Sequence, residues 1–167
     1  MMLIFRSIDR VQAHSILNWQ YPYPYERYNF NPQNTQQDLL YLLDRKNAFF
    51  AILNPQNELE AYCSFGADAR VPGGGYSADA LDIGMGIRPD LVGRRLGKHY
   101  ARAVVRYSAN RYCAKYLRVT IAQFNQRACK VWQKLGFEIV ETFKKMGTQE
   151  NFIVMTLTVV ALKNIVE

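Results

Sequence analysis

Apolar residues recur along this chain with two periods, one helical and one extended. Leu39, Leu42 and Leu43 fall at i, i+3 and i+4, which predicts a helix over 35–46. Leu96, Tyr100, Ala103, Val104 and Tyr107 form a 3.6-residue stripe that predicts the clearest helix. Lys98, Arg102 and Arg106 make a second, basic stripe on it, the pattern of a solvated face. Ala128, Val131, Trp132 and Leu135 repeat the helical spacing over 125–135, and Gly136 is placed to end that helix. A first helix over 9–18 can start at Asp9, a residue type that caps free amides. Short apolar runs predict strands at 3–7, 48–53, 59–65, 81–87, 116–122, 137–143 and 152–158, the last two as antiparallel neighbours across a turn at 144–150. The sum is a mixed α/β sheet with helices on its faces.

Two segments fit neither period. Residues 19–30, WQYPYPYERYNF, are not regular helix, because Pro22 and Pro24 remove donors two residues apart. Its tyrosines, Tyr21, Tyr23, Tyr25 and Tyr28, cannot all be buried with satisfied hydroxyls, so this segment is a candidate lining for a substrate site. The glycine-rich stretch VPGGG at 71–75 reads as a mobile connector without chemistry of its own.

The length of 167 residues is that of one domain, expected over 1–167, since no repeat or linker divides it. Hydrophobic residues at 49% and charged residues at 21% exclude disorder, collagen and coiled coil. Cys63, Cys113 and Cys129 are odd in number and widely spaced, and His14 and His99 lack ligand-like neighbours. No disulfide framework or metal site is therefore expected. The start of the chain does not read as a secretory leader, and the most apolar run, 152–162, is far short of the ~20 residues a membrane span needs. A cytoplasmic location without a membrane partner is the expectation.

Charge sharpens the picture. The chain is net +7, yet the window 88–118 alone is net +8, from nine cations against Asp90, and the remainder is net −1. At the head of that window a strand, a turn and a helix meet in LDIGMGIRPDLVGRRLGKHYARAVVRY. Pro89 ends the strand, and Gly93 and Gly97 let the backbone turn tightly, so that amides at the helix start can donate into one anion. Arg94, Arg95 and Lys98 add charge beside those dipoles, an arrangement suited to a pyrophosphate. A Walker A loop is excluded, because the spacing from Gly93 to Gly97-Lys98 is one residue short and His99 replaces the hydroxyl that holds Mg²⁺. A dinucleotide fingerprint starting at Gly84 fails because Pro89 stands at its third glycine.

The segment from Val92 through Gly93, Arg94, Arg95, Leu96 and Gly97 resembles the acyl-CoA turn of the GNAT superfamily of N-acetyltransferases, R/Q-x-x-G-x-G/A. The segment LRVTIAQFNQRACKVWQKLGFEIV resembles the partner motif of that superfamily, with Asn125, Ala128, Lys134, Gly136 and Phe137 at matching spacings. The two motifs stand in the right order, separated by one helix and one strand. The resemblance implies an α/β (α+β) GNAT fold, a central mixed and mostly antiparallel sheet of about six to seven strands flanked by about four helices. It also implies acetyl-CoA as co-substrate, held by Met85, Ile87, Arg88, Val92, Gly93, Arg94, Arg95, Leu96, Gly97, Lys98, Asn125, Ala128 and Trp132. Val92 departs from the usual Arg or Gln and Arg95 from the usual glycine. Trp132 stands where many members carry the tyrosine that protonates the leaving thiolate, and an indole cannot serve as that acid.

The implied reaction is attack of an amine on the acetyl thioester. An alkylamine with pKa near ~10.4 must lose a proton first. Asp82 is the first candidate base, because it shares a face of its strand with Gly84 and Gly86; Glu60 is the second. The alternatives for Asp82 are that it merely begins a strand or that it pairs with an arginine. The resemblance also implies that the oxyanion meets a backbone amide within 85–87. Cys129, Tyr23 and Tyr76 are the candidate replacement acids, and the sequence does not choose among them. The acceptor, a small molecule or a peptide or protein amine, is not legible. A catalytically silent acyl-CoA-binding module is the alternative function. An RNA-binding protein is a third, which the absence of a recognition signature argues against. The apolar final strand offers a surface for a homodimer.

Overall fold

The computed structural model describes residues 2–76 and 79–160, and these fall into two units. Residues 161 and 162, the end of the apolar run noted above, lie outside the described residues. The first unit comprises Met1–Ser64 and Met85–Arg94. It begins with strand β1 (Ile4–Ser7) and helix α1 (Arg10–Leu17). Asp9 starts α1 as expected: its carboxylate accepts from the Gln12 amide at 2.8 Å, and the Gln12 side chain accepts from the Asp9 amide at 3.1 Å.

Helix α2 (Thr35–Leu43) is shorter than the predicted 35–46. Asp44 leaves the helix with ψ 116° and turns its carboxylate onto the Lys46 amide at 3.0 Å, starting a short 3₁₀ turn instead. Strands β2 (Phe49–Leu53) and β3 (Leu59–Phe65) follow, with β1 antiparallel to β2 and β2 antiparallel to β3. Ile16, Leu17 and Trp19 close a core with Leu39, Leu42, Phe49 and Ala51. Burying a Leu or Ile side chain stabilises by roughly 1.5–3 kcal/mol, so this cluster accounts for the firm seat of α1 and α2.

The second unit comprises Phe65–Gly84 and Arg95–Glu167. Strand β4 (Ala80–Ile87) contributes residues to both units. Helix α3 (Gly97–Arg111), strand β5 (Tyr116–Ala122), helix α4 (Gln126–Gln133) and strands β6 (Glu138–Lys144) and β7 (Asn151–Thr158) complete the second. The buried face of α3 is Tyr100, Ala101, Val104, Val105 and Ser108, rotated from the predicted stripe toward Ala101 and Val105. Ser108 can be buried there because its hydroxyl donates to the Val105 carbonyl at 2.8 Å. Lys98, Arg102 and Arg106 are exposed, as the basic stripe implied.

The described residues form seven strands and four α-helices, and the sheet order is β1-β2-β3-β4-β5-β7-β6. Strands β5, β7 and β6 pair antiparallel, with a bulge between Ile139 and Glu141, whereas β4 and β5 run parallel. This is the mixed sheet with four helices that the resemblance implied.

Candidate active site

The parallel ladder between β4 and β5 is short. It pairs Ala80, Leu81 and Asp82 with Tyr116, Leu117 and Arg118 and then stops, while β5 continues against β7 as far as Ala122. The strands therefore separate just beyond Asp82 and Arg118. Side chains alternate along a strand, so Thr120 shares the face of Arg118, and Gly84 shares that of Asp82.

At the last rung of that ladder Asp82 has a structural occupation. One carboxylate oxygen accepts from Arg118 Nε at 2.6 Å, and the other accepts from Arg118 Nη2 and Arg70 Nε, both at 2.8 Å. Asp82 and Arg118 side chains are 1% and 4% exposed, and this carboxylate holds the Arg118 guanidinium above its ordinary pKa. Arg118 thus leaves the basic window: it is buried in an ion pair, as Arg88 is tied to Asp90 at 2.7 Å. The signal for the pairing was a lone charge in each of two apolar strands, and only their register brings the two together.

The glycine-rich stretch expected to be a free connector is fastened at several points. The Val71 amide donates to the Tyr76 hydroxyl at 2.8 Å, and that hydroxyl lies 3.0 Å from Thr120 Oγ1. The Gly75 amide donates to the Glu141 carboxylate at 3.1 Å, and the Met146 amide donates to the Pro72 carbonyl at 2.9 Å. Gly73, at φ 109°, sits so close that a Cβ there would lie 2.7 Å from the Lys144 carbonyl. The glycines serve close approach to β6 and its turn, which composition alone could not distinguish from flexibility.

Between β4 and α3, residues 89–91 form a 3₁₀ turn, Val92 is extended, and Gly93 takes φ 82°. Arg95 takes φ 63°, the left-handed conformation that a glycine adopts without cost and that costs other residues about 1 kcal/mol. Leu96 precedes α3 and gives it no side-chain cap, so the helix start keeps donors that an anion can satisfy. Gly93, Arg94, Arg95 and Lys98 are exposed, and Leu96 and Gly97 are half-buried. A Cβ on Gly97 would meet Val131 Cγ2 at 3.0 Å, so that glycine keeps α3 close to α4.

Helix α4 starts at Asn125, whose side chain accepts from the Ala128 amide at 3.2 Å. Trp132 is buried edge-on against Phe137, with ring centroids 5.1 Å apart. Cys129 is also buried, which pushes its thiol pKa up. Gly136 takes φ 92°, and the Phe137 amide returns to the Trp132 carbonyl at 3.2 Å, closing the helix as its position implied.

Within the first unit, the end of β4 meets the aromatic segment. The Tyr21 hydroxyl donates to the Ile87 carbonyl at 2.8 Å, and burial, with Tyr62 nearby, drives its pKa upward. Gly86 lies under Tyr62, where a Cβ would come within 2.4 Å of the ring. Nothing in the sequence singled out Tyr62 as the neighbour of this glycine. Glu60 is buried, with its carboxylate accepting from Asn54 Nδ2 at 3.1 Å. Its carbonyl accepts from the Arg88 amide at 2.9 Å. Met85 and Ile87 are half-buried. Tyr23, by contrast, is 86% exposed.

The acetyltransferase (GNAT) family matches residues 11–137 of the chain. Among solved structures, a chimera of spermidine N-acetyltransferase SpeG from Vibrio cholerae and hSSAT superposes with a TM-score of 0.76 at 16% identity, covering 97% of this chain and 98% of that one. A GNAT-family acetyltransferase from Bacillus anthracis gives 0.74 at 13% identity over 95% of both chains. A putative acetyltransferase from Acinetobacter baylyi gives 0.69 at 18%, over 94% of this chain and 93% of that one. No curated protein matches the chain by sequence.

Proposed function

The chain belongs to the GNAT acetyltransferase family, an acyltransferase family that uses acetyl-CoA, and from that premise we propose that it transfers the acetyl group to a primary amine by direct attack in a ternary complex. The observation that carries the proposal is the early end of the β4–β5 ladder, with the basic, uncapped start of α3 following β4 in the chain. Acetyl-CoA supplies an activated acyl group, and the turn suits its pyrophosphate. In this reading the amides of Gly93, Arg94, Arg95, Leu96, Gly97 and Lys98, with the charges of Arg94, Arg95 and Lys98, hold the phosphates. The extended backbone at Met85, Ile87, Arg88 and Val92 carries the pantetheine arm, and one amide within 85–87 faces the developing oxyanion. Asn125, Ala128 and Trp132 line the thiol end.

Asp82 accepts three guanidinium N–H bonds in a buried ion pair, which supports the arginine-partner alternative for it. Glu60 is the second carboxylate to test for accepting the amine proton, and Glu60→Gln is expected to lower kcat. Acceptors are expected among small amines: several of the similar solved structures are of spermidine N-acetyltransferases, which supports that class.

A second reading has one observation in its favour, the buried indole of Trp132 at the usual acid position. It makes the chain a silent acyl-CoA-binding module. Thiol release from acetyl-CoA across a panel of amines, with thermal unfolding in the presence of CoA, separates the two. Transfer predicts both stabilisation and release, the silent module predicts stabilisation alone, and no stabilisation at saturating CoA overturns both.

A further inference from the structure

Trp132 leaves the reaction without the family's usual proton donor, and the fastened stretch at 71–76 supplies another. We propose that Tyr76 and Thr120 form a two-hydroxyl relay that returns a proton to the thiolate leaving the acetyl donor, with Thr120 as the group that meets the sulfur. The inference rests on the acetyl-transfer reading above.

Its basis is geometric and lies wholly within the second unit. Thr120 is the first residue of β5 beyond the last β4–β5 rung that shares the face of Arg118, so its hydroxyl lies where the ladder opens. On β4 the corresponding position on that face is Gly84, which has no side chain to fill the space. Thr120 Oγ1 is 3.0 Å from the Tyr76 hydroxyl, and either atom can donate across that distance, as a relay requires. Tyr76 is held in place twice over. Its oxygen accepts the Val71 amide at 2.8 Å, and its ring lies under the Arg118 guanidinium at 4.8 Å and near that of Arg70 at 5.7 Å. Negative charge passing through the phenolic oxygen thus meets the Val71 amide dipole, while the two guanidiniums near the ring are shared with Asp82. The close approach at Gly73 explains why this stretch needs glycine: the turn sets where Tyr76 lands.

The proton balance closes. The amine nitrogen bonds to the acyl carbon and the carbon–sulfur bond breaks with its electron pair on sulfur. Thr120 gives its proton to that sulfur and takes one from Tyr76. The proton lost by the amine nitrogen passes to the base and from it to solvent, and solvent reprotonates Tyr76. The other two candidate donors fit less well: Cys129 is buried, and Tyr23 lies open to solvent.

Tyr76→Phe and Thr120→Val remove one hydroxyl each, and Thr120→Ser keeps it. With acetyl-CoA the first two are expected to lower kcat by about 10²-fold, the lower end for a positioned acid, and the serine variant to stay within a few-fold of wild type. With the selenoester analogue, whose selenolate is far less basic and leaves unprotonated, the loss is expected to shrink to a few-fold. A readout without turnover is the ionisation of bound CoA, followed by thiolate absorbance: losing the Thr120 hydroxyl is expected to raise its midpoint by about one pH unit, a tenfold change. Equal losses on both esters, or an unmoved thiol midpoint in Thr120→Val with unfolding temperature preserved, would overturn the relay and leave a purely structural strap. Wild-type protein that binds CoA but releases no thiol overturns the acetyl-transfer reading instead, and the thiol titration still tests the contact.

Discussion

Replacing Asp82 by asparagine separates a fastener from a base. The carboxylate lies between two guanidiniums, with Arg118 as buried as itself and Arg70 with 42% of its side chain exposed. Removing one partner of a buried ion pair costs about 3–5 kcal/mol, mostly because the surviving charge stays in a poorly solvated place. Asparagine keeps the shape and one acceptor, so the lower end, about 3 kcal/mol, is expected. For a chain of this length each kcal/mol lowers the unfolding temperature by about 2–4 °C, giving a fall of roughly 6–12 °C. Arg70→Ala, whose charge water can solvate, is expected to cost about 1 kcal/mol or less. Urea unfolding followed by tryptophan fluorescence, with a thermal scan, measures both. An Asp82→Asn protein within about 1 kcal/mol of wild type, with acetyl transfer abolished, would refute the reasoning and make Asp82 the reacting base.

Three further outcomes follow from the packing. Gly86→Ala places a methyl against the Tyr62 ring, where 2.4 Å leaves no room; overpacking of this kind costs about 1–3 kcal/mol, measurable by urea unfolding, with a raised KM for the acceptor. Asn125→Ala loses the cap on α4, for about 1 kcal/mol of stability and weaker binding of CoA by calorimetry. At neutral pH a maleimide is expected to add once, at exposed Cys113, as read by intact mass. Cys63 and Cys129 are buried, and burial pushes both thiols up, away from the reactive thiolate.

Much of the fold, and the helix ends around the candidate site, was legible because these signals are local. Asp9 before α1, Asn125 before α4 and Gly136 after Leu135 act over three or four residues, and each stands at the helix end where its residue type and position put it. Local signals also misled where a nearby competitor was stronger. Asp44 ended α2 early by capping the following turn, and a hydroxyl on Ser108 let a polar residue join the buried face of α3. The left-handed turn at Arg95 had one signal, its place where the resemblance has a glycine, since nothing in an arginine itself announces φ 63°.

By itself, the sequence determined the order of the elements, the basic window at 88–118 and the two motifs that place the chain in its family, because periodicity, capping and turn chemistry are written within a few residues of where they act. Tertiary structure decided what individual polar side chains do. Asp82 and Arg118 stand 36 positions apart and Tyr76 and Thr120 stand 44 apart, and only the register of β4 against β5 and the fold-back of the glycine-rich stretch bring them within hydrogen-bonding distance. A carboxylate that stands alone on its strand in one dimension accepts three guanidinium N–H bonds in three, and a stretch that reads as slack places a hydroxyl beside Thr120. The physical reason is the range of the forces: backbone preferences act along the chain, whereas ion pairs and hydrogen bonds between side chains act only across the few ångströms that packing sets.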